Sequence, residues 1–292
     1  MHIINEDLIL AEPIPFLSKN GVAVHVLRLD RADPVVSGNK WFKLRYHLER
    51  AKASRCDAVV TFGGAFSNHI VATAAACAAL SITSIGIIRG EAPPTLSHSL
   101  QTAASFGMQL FFVSREAYRA KKIPPQLVSA NNYFIPEGGY SEEGAAGAAT
   151  IPYDKTQYNL IACAVGTGTM MAGLLNAKQE SSAILGFSAL KNYFNLDGEV
   201  RRLLKDKHEP VHINHSYHFG GYAKKTPALI HFMNEFYQQT GIPTDFVYTG
   251  KLFFGINDLI EKKHFASGTK ILVIHSGGLQ GNLSLRKGTL IF

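Results

Sequence analysis

The chain has 292 residues, 46% of them hydrophobic and 17% charged, which is enough apolar material for a sizeable core and too little charge for a disordered chain. Lys plus Arg number 29 against 22 Asp plus Glu, and the net charge of +7 is carried in scattered pairs such as Lys121-Lys122 and Lys224-Lys225. With no basic arm, that balance suits an anionic small ligand and argues against a nucleic-acid-binding protein. Cys56, Cys77 and Cys163 are odd in number, widely spaced and set among apolar residues, the pattern of reduced thiols in a cytoplasmic protein. The N-terminus MHIINEDLIL lacks the basic stretch of a secretory signal, and the apolar run from Ile70 to Ile82 is too short to cross a bilayer.

Taken in chain order, the first informative segment is SGNKWFKL (37–44). Trp41, Leu44, Leu48 and Ala51 fall at helical spacing, so the pattern predicts a helix that starts near Asn39 or Lys40. Lys40 then sits in the first turn, beside the positive end of the helix dipole, where an ammonium is disfavoured and a neutral amine is a usable nucleophile or base. An ordinary surface lysine is the competing reading, and Lys43 is the rival one turn on.

AVVTFGG (58–64) reads as a buried parallel strand, followed by Ser67 at a helix cap and an Ala-rich helix from Asn68 to about Leu80. The rhythm continues with a strand at 83–89, a helix around 96–106, a strand at 109–114 and YFIP at 133–136. SEEGAAGAAT (141–150) reads as a connection or a helix start. A second series begins with a strand at 159–165 and a helix from about Met170, then strands near 184–189 and 270–275. Alternating strands and helices predict α/β architecture with parallel sheets covered on both faces.

Two strand ends carry candidate sites. In GGAFSNH (63–69), the free N–H groups of the helix start, the Ser67 hydroxyl and the Asn68 amide suit a carboxylate, although Ser67 also reads as a plain cap. In VGTGT (165–169), Gly166, Thr167, Gly168 and Thr169 form a backbone cup suited to a phosphate. Met171 breaks the dinucleotide fingerprint and no GK[ST] follows, so neither a dinucleotide nor an ATP loop is indicated. His212, His215 and His218 recur every third residue, but on a strand and its following loop they diverge, so no metal site is expected.

Together these features point to pyridoxal phosphate, and the chain resembles the family of 1-aminocyclopropane-1-carboxylate deaminase and D-cysteine desulfhydrase. The resemblance covers most of the chain, through SGNKWFKL, TFGGAFSNH (61–69), IPEGGYSEEGAAG (135–147), VGTGT, FGGYA (219–223), TDFVYTGK (244–251) and IHSGGLQGN (274–282). It implies a two-domain fold type II enzyme, similar to the tryptophan synthase β chain, with each domain an open, twisted, mostly parallel sheet flanked by helices. The large cofactor-binding domain would be residues 1–52 and 141–292, and the small inserted domain residues 53–140. By the same resemblance Lys40 is the Schiff-base lysine, Asn68 bonds the cofactor's 3-hydroxyl, and Ser67 sits by the substrate carboxylate or assists proton transfer. Gly166 to Thr169 hold the phosphate, Tyr222 and Tyr248 are the two active-site tyrosines, and His275 to Gly278 close the site near the pyridine.

Position 249 bears on the reaction. In the deaminase an acidic residue follows the VY of this motif and reaches the pyridine nitrogen, and here it is Thr249. A neutral hydroxyl makes a weaker electron sink, which suffices for β-elimination of a good leaving group. The resemblance therefore implies a small D-amino acid, most simply D-cysteine, cleaved to pyruvate, ammonia and sulfide. The deaminase itself is the alternative, and a non-catalytic pyridoxal-phosphate-binding protein is the alternative of another class. The resemblance also implies a homodimer.

Overall fold

The computed structural model describes residues 3–128 and 131–292. Two short antiparallel strands come first, β1 (Ala11–Pro13) and β2 (Ala23–Arg28). Helix α1 (Asn39–Ala53) follows and buries Trp41, Leu44, Leu48 and Ala51, the stripe its spacing predicts. Its start depends on Gly38, where φ is +67° and a Cβ would lie 1.9 Å from the carbonyl oxygen of Ser276. Next come β3 (Ala58–Gly63), α2 (Asn68–Ala79), β4 (Ser84–Arg89), α3 (His98–Ser105) and β5 (Gln109–Val113). The proline-containing stretch beyond them forms two short helices, α4 (Arg115–Arg119) and α5 (Pro125–Val128), ahead of β6 (Asn132–Ile135).

SEEGAAGAAT folds as helix α6 (Glu142–Ala148). Ser141 caps it by accepting from Gly144 N at 2.9 Å, and its first turn carries Glu142 and Glu143. The chain continues through β7 (Leu160–Val165), α7 (Thr169–Ala177), β8 (Ala183–Ser188), α8 (Leu196–Arg202) and β9 (His212–Asn214). Helices α9 (Pro227–Thr240) and α10 (Thr249–Glu261) precede the last strand, β10 (Lys270–His275).

The strands form two sheets. The smaller has four strands in the order β5-β4-β3-β6, all parallel. The larger has six in the order β1-β2-β10-β7-β8-β9, parallel except where β1 meets β2. All six residues of β3 are buried, and in β7 and β10 every residue after the first is buried, which is why these strands read as continuous apolar runs. The loops beyond the carboxyl ends of these three strands hold the glycine-rich motifs, at the edge where open α/β sheets take their ligands.

His212 is exposed on β9, and His215 lies 3.5 Å from Asp197. Among the described residues no three His, Cys, Asp or Glu are placed to share a metal ion, and no helix is long and apolar enough to cross a membrane.

Candidate active site

The loop before α1 and the loop after β10 interlock. Asn39 N donates to Ser276 O at 3.3 Å, and Lys40 Nζ donates to Asn39 Oδ1 at 2.7 Å. No acidic residue in the first turn of α1 offsets the Lys40 charge. Burial pulls the Lys40 amine down from its ordinary 10.5 to about 8, with the Asp245 carboxylate acting in the opposite direction. Lys43 is also shifted well down, first by burial and then by the charge of Lys40.

The loop from β3 into α2 brings up Ser67 and Asn68. Ser67 Oγ caps α2 by accepting from Ile70 N at 3.3 Å, so the cap reading of this serine is realised. Asn68 Nδ2 donates to Gly278 O at 3.4 Å, which ties α2 to the turn after β10. Asn68 Oδ1 is buried and, among the described residues, has no hydrogen-bond partner. An unpaired buried acceptor costs on the order of 1–3 kcal/mol, so this oxygen is a ready partner for a ligand hydroxyl.

The loop from β7 into α7 holds Gly166 to Thr169. Helix α7 starts from Gly168 at φ +84° and has no capping side chain, which leaves its first N–H groups for a ligand. Thr167 Oγ1 and Thr169 Oγ1 are 3.0 Å apart within the cup. Tyr248 covers it, since a Cβ on Gly166 would stand 3.1 Å from Tyr248 Cε1. The Tyr222 ring meets the Tyr248 ring edge to face, with 6.0 Å between centroids. Both phenols titrate above the ordinary 10 because of desolvation, Tyr248 well above it.

A residue that sequence reasoning passed over organises this side of the site. Asp245 is fully buried. Its Oδ2 accepts from Val247 N and Tyr248 N, each at 2.9 Å, and its Oδ1 accepts from Thr249 N at 2.9 Å and Thr249 Oγ1 at 2.8 Å. In return, Asp245 N donates to Thr249 Oγ1 at 2.8 Å. The signal was an aspartate a few residues ahead of an amphipathic run, the position of a capping carboxylate. A Cβ on Gly278 would lie 3.5 Å from Asp245 Oδ1 and 3.2 Å from Asn68 Nδ2, so these residues converge on one point.

Lys251 was also missed. Its side chain is buried, and Nζ donates to Gly221 O at 2.7 Å, tying the Tyr222 loop to α10. Lys251→Met is expected to cost about 1–3 kcal/mol by stranding that carbonyl, and to lower turnover through Tyr222. Denaturant unfolding checks the first effect. For the second, adding Lys251→Met to Tyr222→Phe should cost no further turnover, and a fully additive loss would separate the two residues.

Deeper still, His275 Nε2 lies 2.7 Å from Pro243 O and Nδ1 lies 3.3 Å from Asp30 Oδ1. Arg28 grips Asp30 through Nε at 2.8 Å and Nη2 at 2.7 Å. Burial alone would raise the Asp30 carboxyl, but His275 and Arg28 bring it below the usual carboxylate range. This set anchors the base of the turn at 275–278.

Residues 10–277 match the family model described as pyridoxal-phosphate dependent enzyme. The chain belongs to that family. It is 29% identical over 300 residues to the Arabidopsis thaliana mitochondrial bifunctional D-cysteine desulfhydrase/1-aminocyclopropane-1-carboxylate deaminase, covering 90% of this chain and 74% of the relative. It is 25% identical to the D-cysteine desulfhydrase of Salmonella newport, covering 91% and 90% of the two chains. A solved ACC deaminase homologue superposes with a TM-score of 0.79 at 29% identity, covering 94% of this chain and 90% of the other. The architecture is accordingly that of a fold type II pyridoxal-phosphate enzyme.

The site of this pyridoxal-phosphate enzyme fits its cofactor on structural grounds. The orphaned Asn68 Oδ1 can accept from a ring hydroxyl, and the uncapped start of α7 with its two threonines can receive a phosphate. Lys40 offers a desolvated amine. Of the residues singled out in the sequence, the structure links Lys40, through Asn39, and Asn68 to the turn at 276–278 by hydrogen bonds, and it sets Tyr248 over Gly166 with Tyr222 against the Tyr248 ring. Ser67→Ala distinguishes two roles. Loss of the cap alone costs about 1 kcal/mol of stability, whereas loss of a proton-transfer group lowers kcat about 10²-fold or more. The second result is expected, and a lowered melting temperature with unchanged kcat would leave Ser67 as a cap only.

Proposed function

We propose that this pyridoxal-phosphate enzyme is a lyase acting on D-cysteine, in which D-cysteine plus water gives pyruvate, hydrogen sulfide and ammonia. The observation that carries the reading is Thr249. Its hydroxyl donates to Asp245 Oδ1 and accepts from Asp245 N, so a neutral, fully engaged group stands where the deaminase carries an acid. Opening a cyclopropane ring, which offers no α-proton to remove, needs the stronger electron sink; expelling a thiolate does not.

When bound, the cofactor supplies an aldehyde for amino groups and a ring that withdraws electrons from the substrate's α-carbon. The chain's own residues do the rest. Lys40 Nζ changes protonation near pH 8, which suits it to bond the aldehyde carbon and to take the proton from the α-carbon. Asn68 Oδ1 orients the ring hydroxyl, and Gly166, Thr167, Gly168 and Thr169 hold the phosphate. The first N–H groups of α2 hold the substrate carboxylate, and Ser67 Oγ beside them assists proton transfer. Tyr222 and Tyr248, both protonated at neutral pH, present O–H donors to the departing sulfur.

On this reading residues 53–140, which contain the four-stranded sheet, form the small domain facing the domain of residues 1–52 and 141–292 across the site. A homodimer and a cytoplasmic setting accompany the reading on the family resemblance. The test offers D-cysteine and 1-aminocyclopropane-1-carboxylate to the purified holoenzyme. Sulfide and pyruvate from the first support the proposal. Robust 2-oxobutanoate from the second, with little sulfide, would establish the deaminase instead. Bound cofactor with no product from any D- or L-amino acid would leave a binding protein.

A further inference from the structure

Arg89 ends strand β4 at the carboxyl edge of the four-stranded sheet, next to the strand that leads into the Ser67 loop. Its Nη2 lies 3.6 Å from where a side chain would stand on Gly64, within that loop, and nothing fills the position. The guanidinium carbon lies 5.9 Å from the centre of the Tyr118 ring, which supports it from one side. Glu137, the acid beside Tyr118, is paired with Lys121. Among the described residues no carboxylate pairs with Arg89, so its fork of donors is free. The Arg89 charge also reaches the Tyr222 phenol, where it offsets part of the rise that burial causes.

A cavity of about 580 Å³ opens beside it. It is lined by Ala65, on the Ser67 loop, by the apolar Ile88 and Phe112, by the cations Arg89 and Arg115, and by the acid Glu91. D-cysteine ends at its sulfur and has nothing to place in such a space.

We propose that Arg89 is a specificity-determining residue that holds an oxyanion at the far end of the substrate side chain, so that the enzyme prefers D-amino acids whose β-substituent ends in a carboxylate or similar anion. The proposal rests on the β-elimination reading given above. With S-carboxymethyl-D-cysteine as the probe, the α-proton is lost, the Cβ–S bond breaks, and thioglycolate leaves with the electron pair. Water then yields pyruvate and ammonia.

The experiment compares S-carboxymethyl-D-cysteine, its uncharged S-carbamoylmethyl counterpart and D-cysteine on wild-type holoenzyme, Arg89→Gln and Arg89→Lys. Arg89→Gln is expected to lower kcat/KM for the carboxymethyl substrate about 10-fold or more, chiefly through KM. It should leave the other two substrates within about 2-fold, and Arg89→Lys should recover part of the loss. An equal loss on all three would place Arg89 at the α-carboxylate or in loop packing and overturn the proposal. So would a wild-type enzyme that shows no preference for the charged probe. D-2-aminoadipate carries the same terminal carboxylate on a chain of the same length but has no leaving group, and its Kd is read from the cofactor absorbance. A Kd unmoved by Arg89→Gln overturns the subsite. Tight binding through Arg89, with no elimination from any cysteine substrate, upholds the subsite and overturns the β-elimination reading.

Discussion

Lys40→Ala will leave a folded protein that no longer holds pyridoxal phosphate covalently and eliminates sulfide about 10⁴-fold or more slowly, the scale expected when the bond-forming group is removed. The fold should not suffer. Among the described residues Lys40 Nζ bonds only its neighbour Asn39, and an alanine in the first turn of α1 relieves an ammonium at the positive end of the helix. An unchanged or slightly raised melting temperature with activity abolished is therefore the expected pair of results. Lys43 cannot substitute for it, because it sits one turn further on with its side chain buried in place. A mutant that keeps near-normal turnover would move the assignment away from Lys40.

Asp245→Asn is the second large effect, and it acts on two observables at once. The substitution keeps the shape of the side chain but turns one oxygen into an NH2 group facing two donors. Facing Val247 and Tyr248 it strands both of their N–H groups; facing Thr249 it strands the Thr249 N–H but can donate to the Thr249 hydroxyl, so at least one of the four hydrogen bonds that set the start of α10 is lost. The cost should be about 1–3 kcal/mol of stability, read by denaturant unfolding. The second observable is the Lys40 amine. In the native protein burial sets it to about 8 while Asp245 holds it up. The neutral amine that reacts with the cofactor aldehyde therefore becomes abundant as pH rises through about 8. Removing the carboxylate should shift the pH midpoint of cofactor capture downward. The sign carries over to stability. The unfolded chain keeps Lys40 protonated up to its ordinary 10.5 and so binds more protons between about 8 and 10.5, which means this residue's contribution to stability rises with pH across that window. A capture midpoint that stays put in Asp245→Asn would show that Asp245 acts on the α10 turn alone.

How much of this was legible in the sequence depended on how local each signal is. Strand β3, its paired glycines, the Ser67 cap and helix α2 are dictated by adjacent residues, and they fold where the pattern places them. The same holds for the apolar stripe of α1 and the strand ends at Val165 and His275. SEEGAAGAAT was ambiguous because its small residues suit both a linker and a helix pressed against a neighbour. The buried Gly144, Ala145, Gly147 and Ala148 show which requirement they meet. Helix α9 carries a threonine cap and a proline at its start, and α10 carries Leu252, Ile256 and Leu259 at helical spacing, so both were readable and went unread.

The buried charges were a different matter. Nothing in a sequence separates a buried Asp245 or Lys251 from a solvated one, because their partners are backbone groups fixed only by the fold. Arg28, Asp30 and His275 meet because β2 and β10 lie side by side in register, Arg28 opposite His275, across most of the chain. Arg89 likewise looks like an ordinary strand-end cation until the adjacent loop places Gly64 beside it.

Mapping the site of reductive attachment tests the central claim most directly. The purified protein is loaded with pyridoxal phosphate, reduced with borohydride, digested and sequenced by mass spectrometry. A single modified residue, Lys40, together with loss of the visible absorbance band on reduction, is the result predicted. Modification confined to Lys43 or Lys251, or a protein that takes up no cofactor, would contradict the assignment of this site.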